Sequence, residues 1–133
     1  MALVGANAQM GRHSVIEISK TFLFDAAHFL PHAPKGHPNS RMHGHSFHVV
    51  VTLRGEPDRA KGWIRDLGDV ALAVEGVRDA LDHHTLNEVE GLSVPTLERL
   101  SAWIYARLKP ALPELARVTV RRDSLGESCT FSE

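Results

Sequence analysis

The sequence of 133 residues predicts an α+β domain in the order ββααββ. Three observations carry that expectation: two long β-rich runs come first, two segments with apolar residues at helical spacing follow, and a pair of short β-rich runs closes the chain.

The first strand is read from Ser14 to Phe24, where Val15, Glu17, Ser19 and Thr21 alternate with Ile16, Ile18, Lys20 and Phe22, and its end is placed at His28. A loop bearing Pro and Gly, from Leu30 to Arg41, leads to the β-branched run Phe47, Val49, Val51 and Leu53, the second strand. The two make a long antiparallel hairpin. After a turn around Gly55 to Gly62, Leu67, Val70, Val74, Val77 and Leu81 recur at steps of three and four, giving an amphipathic helix that ends near Asp82. Pro95 and Thr96 open a second helix with the stripe Leu97, Leu100, Ile104 and Leu108, and Pro110 and Pro113 stop it. Val118 and Val120, then Cys129 to Phe131 after a turn containing Gly126, form the closing hairpin. Residues 1–13 read as a loose N-terminal extension and 14–133 as a single domain.

Composition narrows the function classes. Fifteen Lys and Arg against sixteen Asp and Glu leave a formal charge of −1, so no basic field gathers nucleic acid or anionic lipid. No apolar run approaches the roughly 18 residues of a membrane span, and Cys129 has no second cysteine to pair with. The chain reads as soluble and cytoplasmic. Its unusual feature is nine histidines beside one Tyr and two Trp.

The segment Met42-His43-Gly44-His45-Ser46-Phe47 opens the second strand. Residues two apart on a strand share a face, so His43 and His45 can present both rings to one metal ion, with Gly44 leaving room for close approach. The hairpin can bring His28 alongside. Three neutral imidazoles with an open fourth position suit a catalytic zinc, which polarises a substrate oxygen. The bare pattern also fits ordinary polar histidines on a strand. Asp82-His83-His84, at the end of the first helix, offers a carboxylate that can orient an imidazole for acid–base work, or imidazoles placed to favour a helix C-terminus.

Taken together, these segments resemble the family of 6-pyruvoyltetrahydropterin and 6-carboxytetrahydropterin synthases. The matching stretches, in order, are Phe24-Asp25-Ala26-Ala27-His28-Phe29-Leu30-Pro31, Gly36-His37, Met42 to Phe47, Gly62-Trp63-Ile64-Arg65-Asp66-Leu67, Leu81-Asp82-His83-His84-Thr85-Leu86-Asn87 and Pro95-Thr96-Leu97-Glu98. The resemblance implies a tunnelling fold: a four-stranded antiparallel sheet with two helices on one face, whose copies join edge to edge into a barrel, a hexamer of two trimers. It implies zinc held by His28, His43 and His45 beside the side chain of a dihydropterin, and an acid–base pair of Asp82 and His83 in a site shared between subunits.

Two positions depart from the pattern. The family carries a catalytic Cys four residues before the first His of its His-Gly-His motif, and here that position is Asn39. A carboxamide has no titratable proton near neutrality and cannot replace a thiolate base. Cys129, on the last strand, reads as a packing residue. The family also holds the pterin ring with an acid on the third strand. Counting back from Phe131 gives Asp123, with Glu127 in reserve, whereas counting forward from Val118 and Val120 gives Arg122, and an extra residue separates the two counts. Thr96 and Glu98 are further candidates for the ring, although Glu98 also suits a first helical turn. The sequence therefore supports a zinc-dependent lyase acting on 7,8-dihydroneopterin triphosphate or a related dihydropterin. The alternative is a non-catalytic zinc-containing pterin-binding homologue.

Overall fold

The computed structural model describes residues 15–133. The expected extension over 1–13, and Ser14 of the first strand, lie outside the described residues. Four strands form one antiparallel sheet in the order β1-β2-β3-β4: β1 is Ile16–His28, β2 His43–Gly55, β3 Leu115–Arg122 and β4 Glu127–Phe131. Between β2 and β3 come α1, Leu67–Leu81, and α2, Leu97–Leu108. The expected order ββααββ is observed.

The strands pair where the alternation places them. β1 and β2 run in unbroken register from Ile16 opposite Gly55 to His28 opposite His43. One face of the sheet carries Phe22, Phe24, Phe47, Val49, Val51, Val118 and Val120, all buried. Both helices cover that face, α1 with Val70, Val74, Val77 and Leu81 and α2 with Leu100, Ile104, Tyr105 and Leu108. The other face is polar, crossed by a bidentate pair from Arg117 to Glu17 at 2.7 Å for each bond. Core burial is the main source of stability here. Leu81→Ala, at a fully buried helix end, is expected to cost about 2–5 kcal/mol in a urea titration.

Both helices are capped by residues of the recognised segments. The Asp66 carboxylate accepts from the Gly68 amide at 2.9 Å and starts α1. Thr96 Oγ1 accepts from the Arg99 amide at 3.2 Å and starts α2. Asp82 follows the last turn of α1 as expected. Cys129 is half-buried against Ser101 of α2, at 3.6 Å, in the packing role its position predicts.

The β3–β4 connection resolves the two counts. From Val118 to Arg122 the third strand pairs without interruption, Val118 with Phe131 and Arg122 with Glu127. The extra residue sits in the turn, a single 3-10 turn over Asp123–Leu125 closed by Gly126 at φ 65°. Asp123 therefore lies just past β3, and the strand position itself belongs to Arg122.

Candidate metal centre

Hairpin register assembles the three imidazoles. His28 stands opposite His43, and His45, two residues on, shares their face beside Ala26. Ring centroids lie 4.6 Å apart for His28 and His43, 4.9 Å for His28 and His45, and 4.7 Å for His43 and His45. One ligand atom from each comes within 4.8 Å of the others. Phe47 floors the cluster, 5.6 Å from His45. Gly44 contributes less than its place in the motif implies, because a Cβ there would meet the Ala26 carbonyl oxygen at an ordinary 3.6 Å.

The hydrogen bonds fix which nitrogens are available. A carbonyl can only accept, so the Nδ1–H of His28 donates to the Pro95 oxygen at 3.0 Å and that of His43 to the Arg41 oxygen at 2.7 Å. In neutral rings both Nε2 atoms then carry lone pairs, and these face one another at 3.1 Å. Two lone pairs at that distance call for a proton or a metal ion between them. Burial, first, and then the neighbouring His43 and Arg122 charges hold His28 below its usual value, against the Pro95 bond that raises it. His45 is depressed to about 4 by burial, then by His28, Arg122 and His43. Near neutral pH the depressed His28 and His45 rings are unprotonated and open to a metal, and the set of three imidazoles fits zinc in ligand type and number.

The loop between the helices locks this end of the hairpin. Asn87 brackets the backbone of Phe29, its Oδ1 accepting from the Phe29 amide at 3.0 Å and its Nδ2 donating to the Phe29 carbonyl at 2.8 Å. His83 to Thr85 run along the edge of β1, with the His83 amide donating to Asp25 and the Ala27 amide to His84. Sequence reasoning gave Asn87 no role, although it closes the motif Leu81 to Asn87.

Asp82 and His83 lie side by side in contact. Asp82 Oδ2 lies 3.0 Å from His83 Nδ1 and 3.3 Å from Arg78, while Oδ1 accepts from the Asp25 amide at 3.0 Å. That amide bond, then the bond to His83 and the nearby Arg78 charge, keeps the Asp82 carboxyl below the ordinary carboxylate range. His83 takes φ 59°, a left-handed conformation uncommon for a side chain of this size, and its ring is 79% exposed. His45 and His83 both line a cavity of about 480 Å³, together with Asp25, Ser46 and His84.

The remaining candidates are more scattered. Asn39 is exposed on a 3-10 turn, Pro38–Ser40, its amide donating to His37 Nδ1 and its carbonyl accepting from Leu30. Asp123 is gripped by Arg121 at 2.9 and 3.1 Å and lies 3.6 Å from His48, on the face of the sheet away from the imidazoles. Glu127 pairs with Arg122 at 2.8 Å, and Arg122 Nη1 reaches to 3.5 Å from His45 Nε2. The Thr96 hydroxyl is taken up as a helix cap, and Glu98 is exposed in the first turn of α2.

A four-stranded antiparallel sheet under two helices, with three convergent imidazoles at the mouth of its longest hairpin, defines an α+β protein with a candidate metal site. Residues 17–133 match the family described as 6-pyruvoyl tetrahydropterin synthase, and the chain belongs to that family. It is 38% identical over 123 residues to the 6-carboxy-5,6,7,8-tetrahydropterin synthase of a Synechocystis strain, covering 85% of this chain and 87% of that one. It is 36% identical over 108 residues to the dihydroneopterin monophosphate aldolase of Pyrococcus furiosus, covering 81% and 86%. The structure of Caenorhabditis elegans 6-pyruvoyl tetrahydropterin synthase superposes with a TM-score of 0.79 at 26% identity, over 92% of this chain and 99% of that one. No helix among the described residues is long and apolar enough to cross a membrane.

Proposed function

We propose that this protein is a zinc-dependent lyase-type enzyme acting on 7,8-dihydroneopterin triphosphate or a related dihydropterin. The carrying observation is the facing pair of Nε2 lone pairs on His28 and His43, closed by His45, in a chain of a pterin synthase family. A bound zinc would supply positive charge to polarise the oxygens of the substrate side chain. The Pro95 and Arg41 carbonyls keep two of its ligand rings oriented. His83 is the base: with Nδ1–H turned to Asp82, its Nε2 accepts a proton from the substrate side chain and returns it after bond cleavage. Of the polar groups the resemblance offers for the heterocycle, Asp123 lies on the face away from the imidazoles and the Thr96 hydroxyl caps α2, which leaves Glu127 and Glu98. Glu127 is the better placed of the two late acids, since it shares the imidazole face through Arg122.

Asn39 shifts the chemistry expected of the site. With no thiol at that position, a cleavage served by a single proton carrier fits better than the full synthase reaction, and one similar protein is named an aldolase. The same exchange favours a second reading, a zinc-containing pterin-binding homologue without turnover. Incubating zinc-loaded protein with the triphosphate, and separately with the monophosphate, tests both. Release of phosphate or aldehyde is expected, and tight binding with neither product would support the second reading. Asn39→Cys should raise phosphate-releasing synthase activity by about 10²–10⁴, the usual worth of a positioned base.

The assembly is proposed to be a homo-oligomer, a hexamer of two trimers. β1 and β4 are both edge strands of the sheet, and neighbouring copies would cover backbone that is otherwise open to indiscriminate pairing. Light scattering on purified protein should give six chains per particle. A monomer would refute the barrel.

A further inference from the structure

The third-strand position where the family resemblance expects an acid carries a guanidinium. Arg122 ends β3 on the same face as Val118, Val120 and the three imidazoles. Its side chain is 17% exposed. Nη2 is held by Glu127, Nη1 points to His45 Nε2 at 3.5 Å, and Nε is buried without a partner. A fixed cation beside a cluster of ring nitrogens built to hold another cation is unfavourable in this half-buried setting. Glu127 offsets it only in part, from the more exposed side, at 47% side-chain exposure. Two of the five guanidinium N–H donors go to that carboxylate at most, and those nearest the imidazoles have no anionic partner.

We propose that Arg122 is a substrate-binding residue that receives an oxyanion, a phosphate or a carboxylate, on a ligand held at the metal centre. The ligand's negative charge completes the site by standing between two positive groups. Arginine suits this role better than lysine, because its planar fork offers parallel donors to two oxygens of one anion. The preferred substrate thus carries an anionic group within reach of the atoms that the metal holds, and a neutral dihydropterin is disfavoured. This inference rests on the metal reading above.

The test uses cobalt(II) in place of zinc, because its visible absorption reports ligand changes at the ion. Cobalt uptake is measured first. Inorganic phosphate and, in a separate arm, acetate are then titrated into the loaded protein. Wild type is expected to bind at least one of them. Arg122→Gln should weaken that binding by roughly tenfold or more, Arg122→Lys should retain part of it, and Arg121→Gln, on the opposite face, should leave it unchanged. Glu127→Gln should tighten it by removing the competing carboxylate. The stronger arm identifies the anion as a phosphate ester or a carboxylate. Cobalt uptake with anion affinities indifferent to Arg122→Gln and Arg122→Lys overturns this proposal alone, whereas absence of cobalt uptake by wild type overturns the metal reading and this proposal with it.

Discussion

Purified His43→Ala protein should contain far less than one zinc per chain and should lose the gain in melting temperature that zinc gives the wild type. His43 contributes one of the two facing Nε2 atoms, so its removal leaves His28 and His45 with two of three ligands and an open side where the Arg41 carbonyl had fixed a ring. Changes to groups that merely orient a ligand cost about 10–100-fold in metal affinity, and loss of the ligand itself is expected to exceed that. Elemental analysis after dialysis gives the stoichiometry, and calorimetric scans with and without zinc give the linkage. The fold should survive, since His43 lies outside the hydrophobic cluster. Wild-type stoichiometry in the variant would remove His43 from the ligand set.

The second large effect belongs to His83. Its replacement by Ala should lower turnover by about 10²–10⁴ while zinc content stays at the wild-type level, because the ring donates to Asp82 and has no bond to the imidazole cluster. Asp82→Asn separates charge from shape. An amide keeps the size but neither stabilises a protonated His83 nor accepts as strongly from the Asp25 amide. The sign of its effect on stability follows from the depressed carboxyl. The stabilisation is fully present above the unfolded-chain value near about 4 and is lost as the pH falls through the lower folded value. The stability difference between wild type and Asp82→Asn should therefore be constant at neutral pH and shrink on acidification below about 4. A difference that grew in acid would contradict the bond from the Asp25 amide.

Much of this was legible before any coordinates. The alternation of Phe22, Phe24, Phe47 and Val49 fixes which face of each strand is buried, and the same period puts His28, His43 and His45 on that face. The spacing from Val70 to Leu81 gave α1 almost to its last residue. Turns were harder. The 3-10 turn over Asp123–Leu125 absorbs one residue without disturbing the pairing of β3 with β4, so counting from either end of the chain was bound to disagree, and only the register of Arg122 with Glu127 decides it. Asp123 consequently lies in the turn just past β3, and Arg122 holds the strand position. Thr96 illustrates a second difficulty: one hydroxyl can cap a helix or meet a ligand, and its residue type is right for both. Nor does spacing reveal that Asn87 clasps Phe29, or that His83 adopts a left-handed backbone, because both depend on a loop crossing back to β1 from more than fifty residues away in sequence.

That crossing also protects the end of the molecule where the imidazoles gather. With the amides of Ala27 and His83 engaged between loop and strand, and the Arg78 guanidinium resting on the Leu23 carbonyl at 2.8 Å, the rim of the sheet is shielded where the imidazoles stand. The stretch beginning at Ile16 and the short last strand remain as the edges that the proposed neighbouring copies would cover. A variant that fails to assemble should therefore clump through those ends and lose solubility well before it loses its capacity for the ion.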